Sequence, residues 1–268
     1  MSSLAIYVGA GGMLAQSEKM TAIGNNIANN STVGYKSSTV TFAEHFVALR
    51  GTAPNGSTQI SGNGVTVADT ATNWRDGVIR ETGNIAHLSV AGDGFMEVQL
   101  GTDNYFTRAG DFTLIEDSGT PGTFILVRPN GASLQGAGTA GGATVAEVRF
   151  DALPDSFAVS GAGVITAQGA NVTNGFIGLQ RFANPDALIR HENGMYEQTS
   201  AASAISTDPV IPGTSGTGIY IQGSLELSNV ELVNEFSEMI ITQRAFQANS
   251  KTIMTASEML QIVVNLKR

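Results

Sequence analysis

The 268-residue sequence predicts an α+β protein, with N- and C-terminal helices pairing as a coiled-coil-like layer and a mainly β central domain. Three observations predict it. Apolar residues recur every seven positions at both ends of the chain, the spacing of one helix face. All seven prolines fall between Pro54 and Pro212, and neither Gly nor Pro occurs from Leu225 onward. Strand-like runs bounded by Gly and Asn turns fill the middle with no alternating helices, which argues against a parallel α/β sheet. The segments are 1–36 (first helix and joint), 37–223 (β-rich domain) and 224–268 (last helix).

In the first segment Ile6, Met13, Met20 and Ile27 are seven apart, with Ile23 beside them. Gly9, Gly11, Gly12 and Gly24 each weaken an isolated helix by up to ~1 kcal/mol relative to Ala. They also let a neighbouring backbone approach closely. Such a helix gains by packing. It ends in "NNIANNSTVGYK", where the Asn residues suit a helix end and tolerate left-handed backbone. Gly34 permits a turn denied to other residues. The stretch reads as a joint from helix to sheet.

In the middle, "HLSVAGDGFMEVQL" predicts two short strands around Gly92-Asp93-Gly94, and "NYFTRAGDFTL" a hairpin turning near Ala109-Gly110. "FILVRPNGASL" places Asn130-Gly131 between strands, a type I′ signal. Further strands are expected at 145–150, 164–166, 176–182 and 218–222. In the last segment Ser228 and Glu231 form an S-x-x-E capping box. Leu232, Met239, Phe246, Ile253 and Leu260 repeat every seven residues, Phe236 and Val264 add a half-repeat, and Gln243, Ser250 and Ser257 interrupt it. Lys267 and Arg268 complement the dipole at the far end. A helix of roughly 37 residues, about 55 Å long, follows. The simplest arrangement pairs the two ends with each other and leaves outer faces for neighbours.

The composition excludes several functions. A net charge of −9 opposes nucleic-acid binding, which needs a basic stripe. With no Cys there are no disulfides or thiolate metal sites, and His45, His87 and His191 are scattered. No metal, no cofactor and no membrane insertion are expected, since no apolar run approaches ~18 residues. The start lacks a positive n-region and an apolar h-region, the first basic residue being Lys19. A cytoplasmic protein would look like this, and so would one exported without a cleaved signal. Gly92-Asp93-Gly94 lacks the Lys-Ser/Thr and the following helix of a phosphate loop. Asp93, Asp103 and Asp111 sit in turn-like settings where Asp is expected. No catalytic constellation is found.

"NNIANNSTVGYK" resembles the signature of the bacterial flagellar axial proteins, the family of rod and hook subunits. Its motif A-N-x-x-T-x-G-Y-K is matched by Ala28, Asn29, Thr32, Gly34, Tyr35 and Lys36. "SNVELVNEF", "ITQRAFQANSKTI" and "ASEMLQIVVNLKR" resemble the family's closing helix, and "GDGFMEVQ", "FTRAGDF" and "RFANPDAL" match in the middle. The resemblance implies a non-enzymatic subunit, without cofactor, that self-assembles helically into a tube around an export channel. It implies neighbouring rod and hook proteins and the flagellar export apparatus as partners, and a place in the basal body or hook. Length favours a rod subunit, whereas "TFAEHF" and "QRAFQANSKTI" look more hook-like, so a short hook protein stays open. A secreted β-rich binding module with a helical stalk would need an aromatic or basic ligand face. An enzyme would need its carboxylates gathered in a cleft.

Overall fold

The computed structural model describes residues 2–45, 47–52, 58–117, 119–139, 142, 145–206 and 209–266. Lys267 and Arg268, expected to complement the last helix dipole, lie outside the described residues. The chain is α+β: helix α1, Ser2–Ala28, and helix α2, Leu232–Leu266, flank a mainly β region. Contacts group it into two compact units. The first holds residues 1–30, 37–73 and 230–268; the second holds 31–36 and 74–229.

In the first unit α1 packs along α2. Two of the α1 glycines explain how closely. A Cβ at Gly9 would lie 2.8 Å from Ile253 Cγ1, and one at Gly12 2.7 Å from Asn249 Nδ2. Either would force Ile253 or Asn249 to shift from its place against α1. Gly24 meets nothing within 4 Å, so close approach is not its role. The apolar column Met239, Ile253 and Leu260 is half-buried along the seam. The second column is not the interrupted half-repeat of Phe236 and Val264. It lies one residue earlier, at Thr242, Asn249 and Ala256, with Thr242 and Ala256 buried. Small side chains fill it because the glycine face of α1 leaves no room for larger ones.

The helix α2 starts at Leu232, three residues beyond where a Ser228 cap would begin it. Glu231 precedes the helix: its carbonyl accepts the Glu235 amide at 3.0 Å and its carboxylate accepts Asn234 Nδ2 at 2.6 Å. The same unit contains the antiparallel strands Ser38–Glu44 and Val65–Thr72, with a register shift between Thr41 and Phe42, and the pair Val47–Thr52 with Thr58–Gly62.

The second unit is built on antiparallel strands. Among the described residues its largest sheet has ten. Eight run in the order Val172–Thr173, Arg149–Phe150, Phe124–Val127, Ser133–Ala137, Met96–Leu100, Asp103–Thr107, Met195–Glu197, Ile189–Arg190. Thr113–Glu116 pairs with Phe124–Val127, and Val145–Glu147 with Ser133–Ala137. Leu88, Met96, Phe112, Leu126, Leu134 and Ile177 are among the buried side chains of the main core. A second cluster gathers Phe95, Phe106, Phe182 and Tyr196, against which Trp74 packs edge-on to Phe95 at 5.5 Å.

Several local expectations change here. Leu88–Ala91 and Met96–Leu100 form as expected around Gly92-Asp93-Gly94, but they do not pair with each other. The first pairs with Ile219–Gln222 and the second with Asp103–Thr107. No hairpin turns at Ala109-Gly110, since Thr113–Glu116 pairs onward with Phe124–Val127. Gly110 is needed for contact instead: a Cβ there would collide with the Leu88 carbonyl, and the Gly110 carbonyl accepts the Leu88 amide at 3.0 Å. The strands around Asn130-Gly131 do form a hairpin, but not through a type I′ turn. Pro129 presets φ for an ordinary turn closed by Gly131 N donating to Arg128 O at 2.9 Å, and Gly131 takes the positive φ of 87°. Residues 176–182 make single bridges to Ala137, Val164, Phe95, Val210 and Ala204 rather than one continuous strand.

Candidate assembly face and helix-to-sheet joint

The joint starts inside the helix. Asn26 is buried, and its amide meets the first strand as another strand would. Its Oδ1 accepts from Ser38 N at 2.9 Å, and its Nδ2 donates to Ser38 O at 2.9 Å. The same Nδ2 donates to Glu235 Oε1 in the first turn of α2 at 3.1 Å. One side chain therefore ties α1, the strand Ser38–Glu44 and α2 together. Asn29 closes the helix end: its Nδ2 donates to Asn25 O at 2.9 Å and to Asn25 Oδ1 at 2.7 Å. The Asn25 carbonyl also accepts the Asn29 amide at 3.1 Å, so the Asn29 side chain adds a second donor to the last helical bond. Glu235 sits in a desolvated position that raises its carboxyl above the usual range, against the opposing pull of the Asn26 hydrogen bond.

Residues 31–36 belong to the second unit. Thr32 O accepts the Tyr35 amide at 3.4 Å, and Gly34 turns the chain with φ 66°. Gly34 N donates to Glu226 O at 2.8 Å. Tyr35 is buried under the Arg190 guanidinium, which stacks 4.3 Å above its ring. Lys36 is 1% exposed, an unusual place for a lysine. It is held by two acceptors, Glu226 Oε1 at 2.7 Å and Arg75 O at 2.7 Å. Glu226, also fully buried, accepts Gly77 N at 2.9 Å and faces Arg108 Nη1 at 3.5 Å, while Arg108 pairs with Asp76 at 2.8 Å. Burial holds the Lys36 ammonium below the ordinary lysine value, and the Glu226 carboxylate offsets part of that.

The sequence singled out Asn29, Thr32, Gly34, Tyr35 and Lys36, and the structure gathers Gly34, Tyr35 and Lys36 around the segment leading into α2. It did not single out Asn26 as the clamp, nor Glu226 and Arg108 as the partners of Lys36. Of the helix residues, Ile6, Met13, Met20 and Ile27 on α1 and Met239, Ile253 and Leu260 on α2 are half-buried. Leu232, Phe236, Phe246 and Val264 are exposed, as are Ile240, Ile241, Met254, Met259 and Ile262. So α1 covers one face of α2 and leaves apolar side chains around much of the rest.

The candidate carboxylates are not brought together as one site. Asp111 pairs with Arg128 at 2.8 Å, Asp93 approaches Arg181 at 3.6 Å, and Asp103 accepts Thr102 Oγ1 at 3.4 Å. His87 Nδ1 meets Thr82 Oγ1 at 2.7 Å. Among the described residues no three acidic or histidine side chains converge to hold a metal, and no helix is long and apolar enough to cross a membrane.

Two paired terminal helices, apolar on the outside and clamped to strands, with a β unit on the same chain, define a structural subunit of a polymer. Comparison with known proteins gives the family. Residues 6–36 match the family described as flagella basal body rod protein, and residues 221–266 match the flagellar basal body rod FlgEFG protein C-terminal family. The chain is 36% identical to the flagellar basal-body rod protein FlgG of Bacillus subtilis over 98% of both chains. It is 28% identical to the FlgG of Borreliella burgdorferi over 98% of both. The flagellar hook protein FlgE of Treponema pallidum is 40% identical over 42% of this chain and 25% of its own length. This chain belongs to the flagellar basal-body rod protein family, whose members are structural.

Proposed function

We propose that copies of the chain assemble helically into the tubular rod of the bacterial flagellum, with the two terminal helices forming an inner layer around an export channel. Each copy transmits torque to neighbouring rod and hook proteins. It reaches its place through the flagellar export apparatus. The interface consists of Ile6, Met13, Met20 and Ile27 on α1 with Leu232, Phe236, Met239, Phe246, Ile253, Leu260 and Val264 on α2. Residues 29–36 act as the joint that fixes how α1 departs from the first strand.

One observation carries this reading: the apolar surface of α2 that α1 leaves uncovered, from Phe236 to Ile262. Water is a poor long-term neighbour for a helix apolar on several sides, and such helices belong inside an assembly. Phe246→Asp tests it. Placing a charge in that layer costs several kcal/mol if the layer is buried between copies, beyond the smaller cost in the free chain, where Phe246 is 36% exposed. The expected result is a folded β unit with polymerisation and motility lost. Normal assembly of this variant would refute the interface.

A further inference from the structure

The charges on α2 are segregated. Glu231 stands just before it and Glu235 and Glu238 occupy its first turns, whereas from Met239 to Ser257 the charged residues are Arg244 and Lys251. Both cations are exposed. Arg244 donates to Gln247 Oε1 at 3.3 Å, and Lys251 has no hydrogen-bond or ion-pair partner among the described residues. With about 100° per residue, Ile240, Arg244, Gln247, Lys251 and Met254 fall within a band of about 80°. That band is a basic stripe with apolar ends, and its side chains are exposed among the described residues.

On the other side of the helix pair is a receptor of matching character. A pocket of about 260 Å³ opens between α1, the start of α2 and the strand Ser38–Glu44. Buried Ile23 and Val40 form its apolar wall. Glu235 and Glu238 stand at its α2 side, with Lys19 Nζ bound to Glu238 at 2.7 Å and Asn26 to Glu235. The pocket thus carries two carboxylates against one ammonium. Its volume suits a long aliphatic stem ending in a cation, the shape that lysine presents when its charge stays polar and its methylenes pack. Burial already raises the Glu235 carboxyl, and an arriving cation would offset that cost.

We infer that the basic stripe of one copy docks on the Ile23–Val40 pocket of the next, with Lys251 reaching the Glu235 and Glu238 carboxylates. The geometry decides the kind of assembly. Glu235 and Lys251 are 16 residues apart on one helix, which places them about 160° apart around it. Donor and receptor therefore face opposite ways on the same helix. A contact between opposite faces is head-to-tail. It cannot close as a two-fold dimer and instead propagates as a ring or an open helix. The inference rests on the helical-assembly reading and names one contact that carries it. A single exposed ion pair contributes modestly, but this one recurs at every copy and sets the stagger between neighbours.

The absence of cysteine in the chain makes the test clean. In the double variant Glu238→Cys, Lys251→Cys, the two positions lie 13 residues apart, about 20 Å along the helix, beyond the reach of a disulfide. Any cross-link then joins two copies. Assembled flagellar structures carrying this variant, oxidised and run without reductant, are expected to give a ladder of species extending past the dimer. Either single variant alone is expected to stay monomeric. No ladder from material that microscopy shows to be assembled would overturn the contact while leaving the helical reading intact. Efficient dimerisation of Lys251→Cys alone would overturn it in favour of a two-fold contact. Should the double variant not assemble, Lys251→Glu and Lys251→Arg decide. At least tenfold less assembled protein for Lys251→Glu, with Lys251→Arg retained, supports the contact; wild-type yield from Lys251→Glu overturns it. Failure of the unaltered chain to assemble would sink the helical reading itself.

Discussion

Replacing Gly34 separates two constraints that the sequence motif runs together. The first is conformational. At φ 66° an L-residue pays roughly 1–2 kcal/mol, with Asn paying less than Ala and a β-branched residue more. The second is steric. A Cβ at this position would sit 2.8 Å from Ala109 N and 3.0 Å from both Ala109 Cα and Arg108 C. These are backbone atoms, which cannot rotate aside as a side chain tip can. Relieving the collision means moving the 108–109 segment, and forced overpacking of this kind costs about 1–3 kcal/mol. Together Gly34→Ala should lose about 2–5 kcal/mol. Gly34→Asn avoids part of the first cost and none of the second, so it should lie slightly above Ala and still clearly below wild type. Gly34→Val should be worst. At about 2–4 °C per kcal/mol for a chain of this size, thermal melting of the full chain resolves the series, and assembly yield measured alongside shows whether the joint matters beyond folding. A Gly34→Asn variant as stable as wild type, with Gly34→Ala clearly weakened, would refute the close approach and leave backbone geometry as the sole constraint.

Three further outcomes follow from the same contacts. Asn26→Ala removes the two-point clamp on Ser38 and the bond to Glu235, about 2–4 kcal/mol at ~1 kcal/mol per hydrogen bond; Asn26→Asp, which loses both donors and sets a charge beside Glu235, should be worse, as denaturant melting would show. Lys36→Met should cost about 3–5 kcal/mol by stranding the buried Glu226, while Lys36→Met with Glu226→Leu should cost less than the sum of the single changes; strict additivity in that double-mutant cycle would show that the pair is not coupled. Burial holds the Tyr220 hydroxyl well above its usual pKa and raises that of Tyr196, so their contribution is complete below the unfolded value of about 10 and is lost as pH rises through the folded values. Tyrosinate absorbance should therefore rise together with loss of β structure for these residues, and Tyr220→Phe should blunt the alkaline loss; ionisation of both in a chain that stays folded would contradict it. Lys36, held low, acts in the opposite sense, which is why the Phe variant is the proper reference.

What the sequence made legible follows the range of the interactions. The helices could be read because their apolar period is local, and Gly34 because a left-handed turn leaves a glycine at one position. The role of Gly9 and Gly12 was legible as a type of contact, although the facing residues were not. The partner column of α2 escaped the pattern because Thr242, Asn249 and Ala256 are small or polar, and an apolar-spacing argument counts only large hydrophobes. Gly110 was read as a turn because a glycine between strand-like runs serves a turn or a close approach equally well. Only the fold brings Leu88 against it. Lys36 could be placed in the joint but not in an ion pair, since Glu226 stands 190 positions away. Asn26 looked like one more residue of an Asn-rich helix end until the strand it clamps was in place.

The second unit begins and ends at one doorway. Its entering segment and its leaving segment are bonded to each other: Gly34 N to Glu226 O, Asn229 N to Tyr35 O at 3.4 Å, Lys36 to Glu226. A body whose two ends are stitched together can be exchanged, lengthened or decorated without altering the spacing between the strands of chain that hold it, much as a lamp can be changed without moving the socket. The hook protein that shares 119 aligned residues with this chain, only 25% of its own length, shows how much additional chain a relative can carry. Grafting a larger or smaller β body between residues 81 and 224, with residues 31–36, the first-unit strands of residues 37–73 and the stitch preserved, should therefore leave α1 and α2 folding as before, and one pair of helices could serve polymers of very different girth.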